Sequence, residues 1–250
     1  MVISFLITLI GGSIGGLLAL GTAWAGLKRQ MHRSIARQLA YGIPRDLSSA
    51  ILMSSRQSDL QKVQWLMDVL QESAKVNESS TVLDVAGGTH FGLLDRLSVT
   101  AKSVTVYDGK AAREYMSEKR PSLMQDDKIT FESGEDLVDL KDALQELSFD
   151  VVVMLDIFHT IRPEKRQEAV HQWVKRVKND GGRLVVVIEE EPLTSVSQAG
   201  VVQGVFHRIH VSALKALLAA EGMAVYKTSR FPSEHRVAIV ARRGQSSIEE

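Results

Sequence analysis

From residue 82 onward the chain alternates between short apolar runs and longer stretches whose apolar residues recur every three or four positions. Strand-like runs fall at 82–86, 103–107, 129–133, 150–155 and 183–188. Between them, Leu137, Leu140, Leu144 and Leu147 share one helical face. Val170, Trp173, Val174 and Val177 share another, with Pro163 suited to the first turn of that helix. Upstream, Ser58-Asp59-Leu60-Gln61 suits a helix start, and Leu60, Val63, Leu66, Met67 and Leu70 continue it on one face. Near the end, 211–221 reads as a helix stopped by Gly222, followed by a last strand pair at 224–228 and 237–241. Strands alternating with helices predict an α/β fold: a doubly wound, Rossmann-like sheet of seven strands, mainly parallel and covered on both faces.

Two of these runs end in a way that points to a ligand. Val82-Leu83-Asp84-Val85 breaks into the small residues Ala86, Gly87, Gly88 and Thr89, which let the backbone turn sharply and approach a bound molecule. Asp108 closes the next run, 24 residues beyond Asp84. That is near the spacing at which an acid accepts hydrogen bonds from ribose hydroxyls. A glycine-rich turn by itself can equally be a tight connection that binds nothing, and the added acid is what favours a nucleoside. The glycines do not spell G-x-G-x-x-G and no lysine follows them, which disfavours a dinucleotide site and a P-loop.

The string Asp84-Val85-Ala86-Gly87-Gly88-Thr89 resembles motif I of class I S-adenosylmethionine-dependent methyltransferases, especially the quinone-biosynthesis C-methyltransferases and the related type 11 enzymes. Asp108 stands where that family has its ribose-binding acid, and Gly134-Glu135-Asp136 resembles the segment that contacts adenine. Phe149 to Asp156 resembles the fourth strand, and Asn179-Asp180-Gly181-Gly182-Arg183-Leu184 the glycine turn into the fifth. The resemblance spans about residues 75–243. It implies S-adenosylmethionine as cofactor, held by Asp84, Ala86, Gly87, Gly88, Thr89, Asp108, Glu135, Asp136 and Asp156, and an antiparallel last strand. Two positions depart from the family pattern: His90 replaces the last glycine of motif I, and Asp180 the usual proline. An imidazole at position 90 would either crowd the methionine moiety or hydrogen-bond it.

The amino terminus has a different character. Residues 1–27 carry no charged side chain, long enough for a bilayer core that needs about 20 apolar residues. An uncleaved, single-pass transmembrane anchor is the favoured reading. A cleaved signal peptide competes through Ala23-Trp24-Ala25, but no basic segment precedes the apolar run. Gly11-Gly12-Ser13-Ile14-Gly15-Gly16 is either a helix-pairing face, for self-association or a membrane-protein partner, or a tolerated glycine cluster. Lys28, Arg29, Arg33 and Arg37 follow at once, which places the globular domain on the cytoplasmic side.

Residues 28–75 hold eight Lys and Arg against four Asp and Glu, a surplus that the rest of the chain offsets to a net charge of zero. This basic section is a juxtamembrane linker that either engages anionic head groups or only enforces topology. A slightly acidic domain from residue 76 argues against a nucleic-acid substrate. With no cysteine and no tight histidine spacing, a metal site is not expected. The expected organisation is therefore an anchor at 1–27, a linker at 28–75, the catalytic domain at 76–243 and a polar tail at 244–250.

For the chemistry, His159 is the first candidate base, because Asp156-Ile157-Phe158-His159 follows the fourth strand at the open end of the sheet; bracing that loop is its alternative role. His207, with Arg208 and His210 nearby, lies in a region that often builds the acceptor pocket in the resembling family. The expected activity is methyl transfer to a hydrophobic small molecule such as a quinone precursor, phenol, thiol or lipid. Methylation of a membrane protein is an enzymatic alternative, and a scaffold subunit without catalysis a non-enzymatic one.

Overall fold

The structure, a computed structural model, describes residues 56–86, 91–134, 138, 144, 147–190, 207, 209–232 and 236–243. The expected anchor, most of the basic linker, Gly87 to His90, Glu135, Asp136 and the polar tail lie outside the described residues. Among the described residues, no helix is long and apolar enough to cross a membrane.

Helix α1 (Arg56–Asp68) runs into a π turn (Val69–Ser73), and Lys75, at φ 58°, ends it in the left-handed region. Then come β1 (Thr81–Val85), α2 (Phe91–Thr100), β2 (Ser103–Asp108), α3 (Lys110–Lys119), the single turn α4 (Pro121–Met124) and β3 (Ile129–Ser133). The second half has β4 (Val151–Leu155), two 3-10 turns (Phe158–Thr160 and Pro163–Lys165), α5 (Arg166–Val174) and β5 (Arg183–Glu189). It ends with α6 (Val211–Ala220), β6 (Met223–Arg230) and β7 (Arg236–Arg243). The strands form one sheet in the order β3-β2-β1-β4-β5-β7-β6, in which β7 alone runs antiparallel to its neighbours.

Strand alternation sorts the core into two layers. Val82, Val104, Val106, Val151, Val153, Val185, Val187, Ala238 and Val240 pack with Leu66, Met67 and Leu70 and with Leu93, Leu94 and Leu97 of α2. Leu83, Val85, Val152, Met154, Leu184, Val186, Ile188 and Ile239 face the other way, against Val170, Trp173 and Val174 of α5 and Leu214 and Leu218 of α6. Both faces are covered, which is why the central strands are nearly continuous apolar runs. The expected face of α1 is narrower than the sequence spacing implied, and of the expected face at 137–147 Leu137 and Leu140 lie outside the described residues. Leu60 at the start of α1 is 66% exposed and Leu147 is 47% exposed, while Leu66, Met67, Leu70 and Leu144 are buried.

At the carboxyl side of this sheet the chain reverses its order. From β1 it proceeds outward through β2 to β3; from β4 it proceeds the other way through β5. The connections leaving β1 and β4 therefore diverge, and the crevice between them is the ligand position of doubly wound sheets. At the opposite end, Asp150 closes the sheet: Oδ2 accepts the amide and hydroxyl of Thr81, each at 2.8 Å, and Oδ1 accepts Lys178 Nζ at 2.8 Å. Burial pushes this carboxyl up, but the Lys178 and Thr81 hydrogen bonds outweigh it and hold the group below the usual range. The turn into β5 needs its glycines. Gly181 lies at φ 72°, and a Cβ on Gly182 would meet the Lys178 carbonyl oxygen at 2.5 Å.

Candidate functional site

The β1 tip is built from main chain. Asp84 is fully buried, two residues short of the turn, with its strand partners Val106 and Val153 beside it. Ala86 is the tip itself, at φ 62°, and its N–H donates to the Tyr107 carbonyl at 2.6 Å. Ala86 is fully buried, and a non-glycine residue persists in the left-handed region only where its surroundings over-determine it. Gly92 of α2 lies close to Val63 of α1; an added Cβ would come within 3.3 Å of that side chain.

Beside it, the β2 tip carries a carboxylate. Asp108 is buried, and its Oδ1 accepts the Gly109 N–H at 2.7 Å where the chain turns into α3. Its carbonyl accepts the Gly134 N–H at 3.2 Å, which ties the end of β3 to this corner. Tyr107 is buried with its hydroxyl against Gly134, where a Cβ would fall 1.7 Å from that oxygen. Glycine at 134 is thus a packing requirement of the corner. Parallel register sets Val85 opposite Tyr107, so Ala86 and Asp108 are close neighbours at one end of the sheet.

On the other flank of β1, the β4 tip is a second left-handed residue, Asp156 at φ 53°. Its N–H donates to Val187 O at 3.0 Å, which extends the β4–β5 pairing by one residue before the chain turns. Its Oδ2 accepts Arg236 Nη1 at 2.7 Å, in a pair whose side chains are only 15% and 6% exposed. The loop that follows is fastened from several directions. His159 Nε2 accepts the Glu189 N–H at 3.0 Å, and the His159 carbonyl accepts the His207 N–H at 2.8 Å. Arg166 donates to the carbonyls of His207 at 3.0 Å and Ile161 at 3.3 Å.

Both histidines are held below their ordinary pKa. Burial is the main cause for each; Asp156 partly offsets it at His159, and the Arg166 guanidinium adds to it at His207. At neutral pH both are neutral. Because His159 Nε2 accepts a backbone N–H, its ring proton is on Nδ1. Among the described residues, no group of three or more His, Cys, Asp or Glu is placed to hold a metal ion.

The structure therefore brings Asp84, Ala86 and Asp108 together on one side of the crevice and Asp156, His159 and His207 on the other. Gly87, Gly88, Thr89, Glu135 and Asp136 lie outside the described residues. Sequence reasoning missed Arg236, Glu189 and Arg166. Arg236 begins an apolar strand 80 residues beyond Asp156, and only the burial of a charged residue at that strand's first position marks it.

No family model and no curated protein matches the sequence. Solved structures do. Magnesium protoporphyrin IX methyltransferase from Synechocystis, solved with bound SAH and with bound SAM, matches at 16% and 15% identity with a TM-score of 0.56. The SAH form aligns over 75% of this chain and 84% of that one. An N-methyltransferase from Bradyrhizobium japonicum matches at 16% identity and TM-score 0.54, over 76% of this chain and 98% of that one. An O-methyltransferase family protein from Burkholderia thailandensis matches at 16% identity and TM-score 0.52, over 78% of this chain but 62% of its own length. The described domain has the Rossmann-like, seven-stranded mixed-sheet fold of these class I methyltransferases.

Proposed function

We propose that this protein is an S-adenosylmethionine-dependent methyltransferase, anchored in a membrane by residues 1–27 and acting on a hydrophobic small molecule from the cytoplasmic side. The observation that carries the reading is the pairing of a side-chain-poor, left-handed tip at Ala86 with a buried carboxylate at Asp108 on the adjacent parallel strand. A ribose diol suits that carboxylate, and the small residues from Ala86 to Gly88 suit the close approach of an adenosyl group. The buried Asp156 Oδ1, which accepts no hydrogen bond among the described residues, gives the same crevice a second acceptor. Structures of the same fold hold SAM and SAH.

When bound, the cofactor supplies an electrophilic sulfonium methyl group. The chain's task is then to align two bound molecules and exclude water, which can contribute about 7–11 kcal/mol of barrier lowering in favourable cases. Asp84, Ala86, Gly87, Gly88, Thr89, Asp108, Glu135, Asp136 and Asp156 are the holding residues. Of the two histidines, His207 is the better proton acceptor for a substrate hydroxyl or thiol. It is neutral at neutral pH, while the Nε2 lone pair of His159 is occupied by Glu189. His159 instead ties the loop after β4 to the end of β5 and to His207. The anchor favours a bilayer-dissolved acceptor, because tethering raises the local concentration of such substrates around the site.

Calorimetry of the purified full-length protein tests the cofactor assignment: saturable binding of S-adenosylmethionine is expected, and its absence removes the reading. Membrane extracts incubated with isotopically labelled methyl donor, followed by mass spectrometry, identify the acceptor class. His90 at a family glycine position favours one second reading, a scaffold subunit of a membrane complex. Co-purification with such a complex, with assembly unaffected by an Asp84→Ala and Asp108→Ala double variant, would support that reading instead.

A further inference from the structure

Asp156 and Arg236 form an ion pair between strands that do not touch, since β5 lies between β4 and β7. Arg236 is in register with Glu189, the last residue of β5, and its carbonyl accepts the Phe231 N–H at 3.0 Å. Its backbone is thus fixed by pairing on both sides. From there the guanidinium reaches back over β5 to a residue whose backbone is in the left-handed region, a conformation that persists only where the surroundings over-determine it. The Val187 carbonyl fixes the Asp156 main chain and Arg236 fixes one carboxylate oxygen.

The second oxygen is not used by this arrangement. Oδ1 is buried and accepts no hydrogen bond among the described residues. Buried carboxylate oxygens in folded proteins have partners. The position says what kind of partner this is. Val85 is opposite Met154, so the register sets Ala86 beside Leu155 with Asp156 one residue further on, two left-handed residues at neighbouring strand tips where the two halves of the sheet divide. Asp108 and Asp156 flank β1 on either side, two strand spacings or about 10 Å apart. A ligand with its sugar at Asp108 therefore crosses the β1 turn and presents its other end at Asp156. For an adenosyl amino acid that end carries an ammonium, the donor best matched to a carboxylate in a poorly hydrated place.

We propose that Arg236 is a positioning residue of the cofactor site: by engaging Asp156 Oδ2 it orients the carboxylate so that Oδ1 receives the α-ammonium of the bound adenosyl amino acid. The inference rests on the methyl-donor reading above and adds to it a residue from the far side of the sheet. Arg236 touches no reacting atom. Its route to the ligand is Asp156, so its effect on binding falls on ligands that possess the ammonium.

Calorimetry with two probes separates this role from a purely structural one: S-adenosylhomocysteine, which has the amino-acid portion, and 5′-methylthioadenosine, which lacks it. Arg236→Met is expected to weaken S-adenosylhomocysteine at least tenfold and to leave methylthioadenosine within about twofold, while Arg236→Lys retains most of the affinity. If Arg236→Met does not fold, the charge-free Asp156→Asn, Arg236→Met double variant is compared with Asp156→Asn alone. Equal affinity for S-adenosylhomocysteine in those two supports the proposal, and a further loss in the double variant overturns it. Parallel loss of both probes in Arg236→Met, or unchanged or tighter S-adenosylhomocysteine binding, also overturns it and leaves the methyl-donor reading standing. A wild-type protein that binds neither probe removes that reading, and this inference with it.

Discussion

The two halves of the sheet make their share of the crevice by opposite means. On the β1–β2 side, the site is main chain, one small residue and the two carboxylates of Asp84 and Asp108, assembled from segments adjacent in sequence and in space. On the β4–β5–β7 side, it is a polar seam in which Asp156, His159, Glu189, His207, Arg166 and Arg236 fasten one another across strands and loops far apart in the chain. The first side leaves room for a ligand by omission of side chains; the second holds a loop in place by adding them. A half built by omission tolerates change until the ligand is present, whereas a half built from buried polar contacts depends on each partner for its stability.

The largest expected effect falls on the second half. Arg236→Met leaves a buried carboxylate without its counter-charge and should lower stability by about 3–5 kcal/mol, measured by denaturant unfolding. A loss below about 1 kcal/mol would show that the pair is effectively solvated. Next, on the first half, Asp108→Ala should leave the unfolding midpoint comparatively little changed. It should weaken S-adenosylhomocysteine binding by about 1.5–3 kcal/mol, as expected for hydrogen bonds to a charged group. Equal affinity for variant and wild type would erase the proposed division of labour.

A pH experiment sharpens the contrast. His159 and His207 titrate below their ordinary value of 6.5 in the folded protein, so below that pH the unfolded chain takes up protons more readily. Stability from this source is present above about pH 6.5 and is lost as pH falls through the depressed folded values. His159→Asn keeps an acceptor for the Glu189 N–H without titrating. Its melting temperature should therefore fall less steeply between pH 7 and pH 5 than that of the wild type, and an identical slope would exclude His159 as the source. The smallest effect is expected far from the crevice: Lys110→Ala breaks an exposed 3.9 Å pair with Glu114 and should change stability by about 0.5 kcal/mol or less.

Much of this molecule was legible before any coordinates. Seven strands, their near-parallel arrangement, the helix stop at Gly222 and the two ligand-side tips follow from local periodicity, because strand alternation and turn chemistry act over a few residues. Even there, local pattern overreached at Leu60 and Leu147. A helical face states which residues can share a side, while burial depends on how far the neighbouring layer extends. His159 shows the same limit at the site. Its position after β4 marks it as a candidate base, but that its Nε2 is occupied by a β5 amide is a fact about a residue 30 positions away.

The sequence by itself determined the alternation of strands and helices, the bare turn after β1 and the acid at the end of β2, since each is a property of neighbouring residues. Only the tertiary structure decided that Arg236 serves Asp156, that two non-glycine residues occupy left-handed backbone at neighbouring strand tips, and that His159 is fastened to β5. The reason is physical. Burying a charge is favourable only where a partner waits within hydrogen-bond reach, and which residue waits there depends on the strand order that brings β7 next to β5.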